Sequence, residues 1–371
     1  MQTLKMQAAK LMAAAAAVLM LAAGSAQAEE AKVLNVYNWS DYIAPDTLAK
    51  FTQETGIKVN YDVYDDNSIL EAKLMAGKTG YDVVFPSALP YFAQQIRAEV
   101  YRPLDRARIT NWGKLDGKSL QSLEVADPGN RYGVPYMIAA TGIGYNIGKL
   151  DKIGTDLPLD SWALLFDPKV VSRLKGCGVS LLDTPTEVLP AALAWLGRNP
   201  ASQDTADLEA AAEVVTKIRP TLKYIHSSKY ISDLATGDLC VAHGYVGDLV
   251  QARSRAEKAK SRQKIAIVIP KEGAEVNIDV MAIPKDAPHP DNAHKFIDFL
   301  LRPEIIADIT NQTGYANAVR DADALVAPEV RNDPAIYPPA EVQAKLFTVP
   351  VADKTYERLR TRTWTKIKTR H

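Results

Sequence analysis

The sequence predicts an α/β protein built as two lobes with a ligand cleft between them. Three observations lead there. Short β-rich runs alternate with amphipathic helical patterns, the rhythm of parallel-sheet architecture. The rhythm restarts in the middle of the chain without a repeat, a low-complexity tract or a Gly/Ser linker. About 340 residues remain once an amino-terminal segment is set aside, more than a single hydrophobic core usually serves.

That segment reads as a signal peptide over residues 1–28. Lys5 and Lys10 form a basic region, Leu11–Ala23 is unbroken apolar sequence, and Ala26-Gln27-Ala28 offers a small-residue site for cleavage after Ala28. At ~1.5 Å per residue this stretch spans about 20 Å, short of the ~30 Å hydrocarbon core that an uncleaved anchor would have to cross. No Cys lies near the site to carry a lipid. No other apolar run is long enough to cross a bilayer, so stable membrane insertion is not expected after cleavage.

Val33–Tyr37 alternates apolar and polar residues and is the first strand. A polar and aromatic loop follows, Asn38-Trp39-Ser40-Asp41-Tyr42. Pro45 stands at the expected start of a helix carrying Leu48, Phe51 and Thr55 on one face, with Gly56 as its stop. Ile57–Tyr64 is the next strand, and Asn67 is placed to cap a helix that Gly77 ends. Tyr81–Phe85 is a strand with Pro86-Ser87 beyond it. Gly142–Tyr145, Gly178–Leu182, Leu222–Ile225, Leu239–His243, Lys264–Ile269 and Asp279–Ile283 are further strands. Asp207–Arg219 and Asp291–Leu301 carry apolar stripes at helical spacing. With no flexible tether, the chain is expected to cross between lobes more than once. The expected division puts 30–137 and 272–316 in the first lobe and 138–271 and 317–371 in the second.

Forty-four basic residues balance forty-four acidic ones. A nucleic-acid binder or membrane-surface protein needs a basic excess, so neither is expected. Cys177 and Cys240 are the two cysteines; in an exported chain they predict one disulfide, or else two separately buried thiols. Catalytic signatures are missing. Gly77-Lys78-Thr79 lacks the upstream Gly of a phosphate loop, and Gly142-Ile143-Gly144 lacks the third Gly of a dinucleotide fingerprint. The histidines at 226, 243, 289, 294 and 371 show no ligand spacing; His226 and His243 read as satisfied core or hinge residues. Neither a cofactor, a metal nor an enzymatic activity is expected.

Ligands of open α/β sheets bind beyond the carboxyl ends of the strands. The loops there hold Trp39, Ser40, Asp41 and Tyr42, then Ser87, Asp183 and Glu187, then Tyr245 and Asp248; Asp279 and Tyr315 complete the set. It is aromatic and acidic, without Lys or Arg. Ring faces attract an ammonium and cover a methylene chain, while carboxylates pair with charged ends, so the lining suits an organic cation. Each residue also has a plainer reading. Trp39 and Tyr42 could be hinge packing, Ser40 and Asp41 helix caps, Glu187 an exposed charge at a helix start, Asp248 the start of a surface helix, and Tyr245 core.

Long stretches, among them VYNWSDYIAPDTLAKFTQETGIKVNYDVYD, KLMAGKTGYDVVFPS, CGVSLLDTPTEV and HSSKYISDLATGDLCVAHGYVGDLVQA, resemble the periplasmic polyamine-binding proteins of ABC transporters, closest to the putrescine-binding type. The similarity runs from about Leu34 to Lys368. It implies a type II periplasmic-binding-protein fold, a periplasmic location and a monomer whose closed form meets a membrane permease. The same resemblance also fits an amine sensor that presents its bound form to a signalling receptor. It implies a site of Trp39, Ser40, Asp41, Tyr42, Ser87, Glu187, Asp248, Asp279 and Tyr315, with Tyr245 where a Trp is usual. Asp248 and Asp279 would grip one ammonium, Ser40 and Asp41 the other, and Trp39 and Tyr315 would sandwich the methylenes. Cys177 and Cys240 would form a disulfide. Asn277-Ile278 replaces an aromatic pair before Asp279, which leaves putrescine, agmatine, cadaverine and spermidine as candidate ligands.

Overall fold

Alternating burial sets the first strand: β1 (Val33–Trp39) sends Leu34 and Val36 into the core and leaves Val33 and Asn35 half-exposed. In the computed structural model, which describes residues 30–369, β1 pairs in parallel with β2 (Lys58–Tyr64) and β3 (Val83–Val84). The signal peptide and its cleavage site lie outside the described residues. The helix between β1 and β2 spans Thr47–Thr55; it starts after Asp46, two residues later than Pro45 suggests, and Gly56 ends it at φ 71°. The following helix, Asn67–Ala76, is capped by Asp66, whose carboxylate accepts from the Ser68 amide, and not by Asn67.

β4 (Gly133–Asn146) is much longer than its predicted core at Gly142–Tyr145. Its first five residues, Gly133 to Met137, are all buried, and the register breaks between Pro135 and Met137, so no alternation marks its start. After it come β5 (Val179–Leu181), β6 (Tyr224–Ile225), β7 (Val241–Tyr245), β8 (Ile265–Val268), β9 (Val276–Ala282) and β10 (Ala316–Asn317). The first half of β4 pairs antiparallel with β9 and β10, and its second half with β7 and β8. One strand therefore belongs to two sheets, β2-β1-β3-β9-β4 and β4-β7-β5-β6.

Each sheet has its own core. One gathers Leu34, Val36, Phe51, Phe85, Met281 and Phe296; the other gathers Ile143, Trp162, Leu181, Tyr230, Leu234 and Val241. These are the two lobes, and the chain passes between them in β4 and again between β8 and β9. Ala318, Val319, Ala322 and Val326 are apolar and pack in the first core, and the chain reaches the second only near Leu346 and Phe347, before the helix Lys354–Thr369 seats Trp364 and Ile367 there. No helix among the described residues is long and apolar enough to cross a membrane.

Cys177 and Cys240 form a disulfide, with Cα atoms 5.5 Å apart, just before the paired strands β5 and β7. It closes a loop of 63 residues. Chain-entropy reasoning assigns such a loop about 4 kcal/mol of stabilisation. A Cys177→Ala/Cys240→Ala variant is expected to lose 2–4 kcal/mol (order of magnitude) in urea unfolding. A loss below about 1 kcal/mol would mean that the unfolded chain is already constrained there.

Candidate functional site

The carboxyl ends of β1 and β7 bring aromatic rings together from the two sheets. Trp39 ends β1 and Tyr245 ends β7, and their rings meet edge to face at 6.2 Å. The Trp39 indole is held from behind: its Nε1–H donates to the Phe85 carbonyl at 2.8 Å, and its ring packs on Tyr64 at 4.7 Å. Ser40 is fixed by its amide, which donates to the Tyr64 carbonyl at 2.8 Å.

Two aspartates sit behind these rings, each receiving two hydroxyls. Asp279, within β9 and 4% exposed, accepts from Tyr42 at 2.6 Å and Ser87 at 2.6 Å. Ser87 is positioned in turn by Asn67, whose Nδ2 donates to its hydroxyl at 3.0 Å. Asp248, in the first turn of the helix Val246–Lys258 and 8% exposed, accepts from Tyr230 at 2.6 Å and Tyr315 at 2.8 Å. The helix N-terminus favours a carboxylate there. Gly247 and Gly244 make these approaches possible, because a Cβ at either would stand 2.2 Å from the Tyr315 ring or 2.4 Å from the Tyr230 ring. The Tyr42 and Tyr315 rings cross at 4.7 Å and 87°, so the two tyrosine–aspartate units abut.

Burial pushes the Asp248 carboxyl up to about 6, against the pull of its two tyrosine hydrogen bonds. Burial does the same to Asp279, up to about 6, opposed by Ser87 and Tyr42. Glu187 lies in the first turn of the helix Pro185–Trp195 and is 6% exposed, so it is not a surface charge. Burial carries it up to about 7. Glu275, just before β9, is pushed up by burial and by the charge of Glu187 facing it.

Nine of the eleven residues singled out in the sequence line this one cavity: Trp39, Ser40, Tyr42, Ser87, Glu187, Tyr245, Asp248, Asp279 and Tyr315. Asp41 does not. Its backbone is left-handed, φ 56°, and its carboxylate is drawn to Arg255 at 2.9 Å, while its carbonyl accepts from Gln251. It ties the first lobe to a helix of the second at the rim. Asp183 also stands aside, bonded to the Trp364 indole and the Lys368 ammonium. Tyr64, Asp65, Ser227, Ser228, Glu275 and Asn277 line the cavity without having been singled out. Asp65 directly follows β2 and obeys the strand-end rule. Glu275 precedes its strand, where that rule is blind. Among the described residues lining the cavity are five carboxyl side chains and no Lys, Arg or His. Acids, hydroxyls and ring faces together can neutralise and desolvate a positively charged organic guest.

A family profile described as bacterial extracellular solute-binding protein matches residues 46–338. The chain is 54% identical over 347 residues to the putrescine-binding periplasmic protein SpuD of Pseudomonas aeruginosa, covering 93% of this chain and 94% of that protein. It is 49% identical over 356 residues to the putrescine-binding periplasmic protein PotF of Escherichia coli, covering 95% and 96%. Among solved structures, the spermidine/putrescine ABC transporter substrate-binding protein PotD of Streptococcus pneumoniae superposes with a TM-score of 0.73 at 28% identity, covering 91% of this chain and 99% of that one. With two sheets sharing β4 and a cleft between their cores, the chain belongs to the bacterial extracellular solute-binding proteins and has their periplasmic type II fold.

Proposed function

We propose that the cleft binds a linear amine carrying at least two protonated nitrogens, putrescine or a close relative, and that the closed protein hands it as a monomer to the permease of an ABC importer. The reading rests above all on Asp248 and Asp279. Both are buried, both receive only hydroxyl donors, and no basic side chain among the described residues lines the cavity to neutralise them. An ammonium seated there supplies the missing charge. Trp39, Tyr245 and Tyr315 offer ring surface to the methylenes, each cation–π contact contributing about 0.5–2 kcal/mol. Contacts reaching the guest from both lobes favour the closed form by their differential strength. The names of the relatives support capture for transport, with no turnover.

Calorimetric titration with putrescine, cadaverine, agmatine, spermidine and γ-aminobutyrate tests this. A di- or polyamine is expected to bind, to change Trp fluorescence and, at a hundredfold excess over Kd, to add about 2.7 kcal/mol of stability. Binding needs ionised aspartates, and both titrate at about 6 in the unliganded fold. Affinity is therefore expected to fall as pH drops from 8 to 5, approaching tenfold per unit per aspartate at the acid end. Equal affinity at pH 8 and pH 5, or preference for the zwitterion, would sink the reading.

A further inference from the structure

The four deeply buried carboxyl groups of the cleft are unequally supplied with donors. Asp248 and Asp279 each receive two hydroxyls. Glu187 and Glu275, 6% and 3% exposed, both line the cavity, and the charge of Glu187 acts on Glu275. Among the described residues the pair receives a single side-chain donor, Asn277 Nδ2 to Glu275 Oε1 at 3.2 Å. Glu187 Oε2 is fully buried, belongs to a residue lining the cavity and has no hydrogen-bond partner among the described residues. The cation that acts on Glu187 is Arg360, already bonded to Glu357 at 2.7 and 2.6 Å. Two carboxylates so placed cannot both ionise unless something positive comes between them. Without ligand, that something is a shared proton. An ammonium with three N–H donors serves both groups better and reaches the orphaned oxygen.

The pair and Asp248 stand on different elements and answer to different charges. The charges acting on Asp248 are Asp41 and Arg255, whereas those acting on Glu187 are Asp279, Asp66 and Arg360. Asp279 acts on Tyr42 as well as on Glu187. Asp41, expected from the family resemblance to serve the far nitrogen, is turned away to Arg255. We propose that Glu187 and Glu275 form a second cation subsite, which takes the distal protonated nitrogen of the amine in exchange for the proton the two carboxyls share. This rests on the amine reading given above. The displaced proton passes to buffer, and the pair becomes a dicarboxylate around the ligand nitrogen. The groups facing the pair are Asp279 and Asp66, which hold the proton on, Arg360, which opposes them, and the Asn277 amide. Burial raises both carboxyls of the pair and the Glu187 charge raises Glu275 further, so the pair holds a proton to exchange.

The test is calorimetry of putrescine and of spermidine binding at pH 7, run in phosphate and in Tris, whose ionisation heats differ. The wild type is expected to release a large fraction of one proton per amine bound. Glu275→Gln is expected to abolish most of that release and weaken binding tenfold or more, and Glu187→Gln to do the same. Thermal unfolding of each variant establishes that it folds, and the second variant carries the test if the first does not. Proton release and affinity unchanged in a folded Gln variant would overturn the subsite and leave the amine reading standing. Absence of binding heat for every amine with the wild type would overturn the amine reading, and the subsite with it.

Discussion

Asp279→Asn is expected to weaken amine binding by about 10²- to 10³-fold while leaving the unliganded protein as stable as the wild type or more so. The two effects share one cause. Breaking a buried, hydrogen-bonded ion pair from one side costs about 3–5 kcal/mol, because the remaining charge stays desolvated without its partner. Asn keeps the shape and an oxygen for Tyr42 to donate to, but it cannot neutralise an ammonium. In the unliganded fold the same carboxylate is a liability. Its folded pKa, about 6, stands above the value of ~3.9 in the unfolded chain, so the native state binds more protons between those values. Its contribution to stability is present in acid and lost as pH rises through 6, at up to about 1.4 kcal/mol per unit. The variant removes that slope. Urea unfolding of unliganded wild type and variant at pH 4.5 and 7.5, beside calorimetry with putrescine, reads both effects. A variant that binds as the wild type does would remove Asp279 from the site; one that loses binding together with its fold would make it merely structural.

How far the site was legible depended on which end of a strand a residue occupies. Trp39 and Tyr245 end strands and Ser87 and Asp248 follow them, and strand boundaries leave marks in local composition, so the rule that ligands gather beyond carboxyl ends reached them. Glu275 and Asn277 come at the opposite end of β9 and enter the cavity because β9 runs antiparallel between β3 and β4. Antiparallel pairing is a long-range fact that local pattern does not carry. Asp41 stays out of the cavity for a different reason. Its neighbours in sequence are site residues, but Arg255, more than two hundred positions away, decides where its carboxylate points. The start of β4 was missed because a strand buried on both faces reads as a plain apolar run. The tyrosines that support the aspartates, Tyr230 above all, could not be distinguished from ordinary core without the glycines that open a path for them.

His243→Leu is expected to stabilise the protein, increasingly so in acid. The side chain is fully buried in β7, neither ring nitrogen has a hydrogen-bond partner among the described residues, and its imidazole meets the Trp162 ring edge to face at 5.0 Å. It is a core residue, but not a satisfied one. Each unpartnered buried nitrogen costs about 1–3 kcal/mol, which leucine removes at any pH. Burial alone depresses the imidazole to about 3. Since the unfolded value is ~6.5, the unfolded chain binds the extra proton throughout the interval between them. Stability from this group is complete above 6.5 and declines by up to about 1.4 kcal/mol per unit as pH falls towards 3. Asp248, Asp279 and Glu187 slope the other way, their folded values being raised, so the stability of the wild type alone mixes opposing trends. Subtracting the variant cancels those shared terms. Urea unfolding at pH 7.5, 6.0 and 4.5 should show the advantage of His243→Leu growing by roughly 2–3 kcal/mol across the series. An advantage that stays constant with pH would mean that the imidazole keeps an ordinary proton affinity inside the fold, with a partner such as a buried water. A leucine variant less stable than the wild type at pH 7.5 would mean that the contact with Trp162 outweighs both desolvated nitrogens.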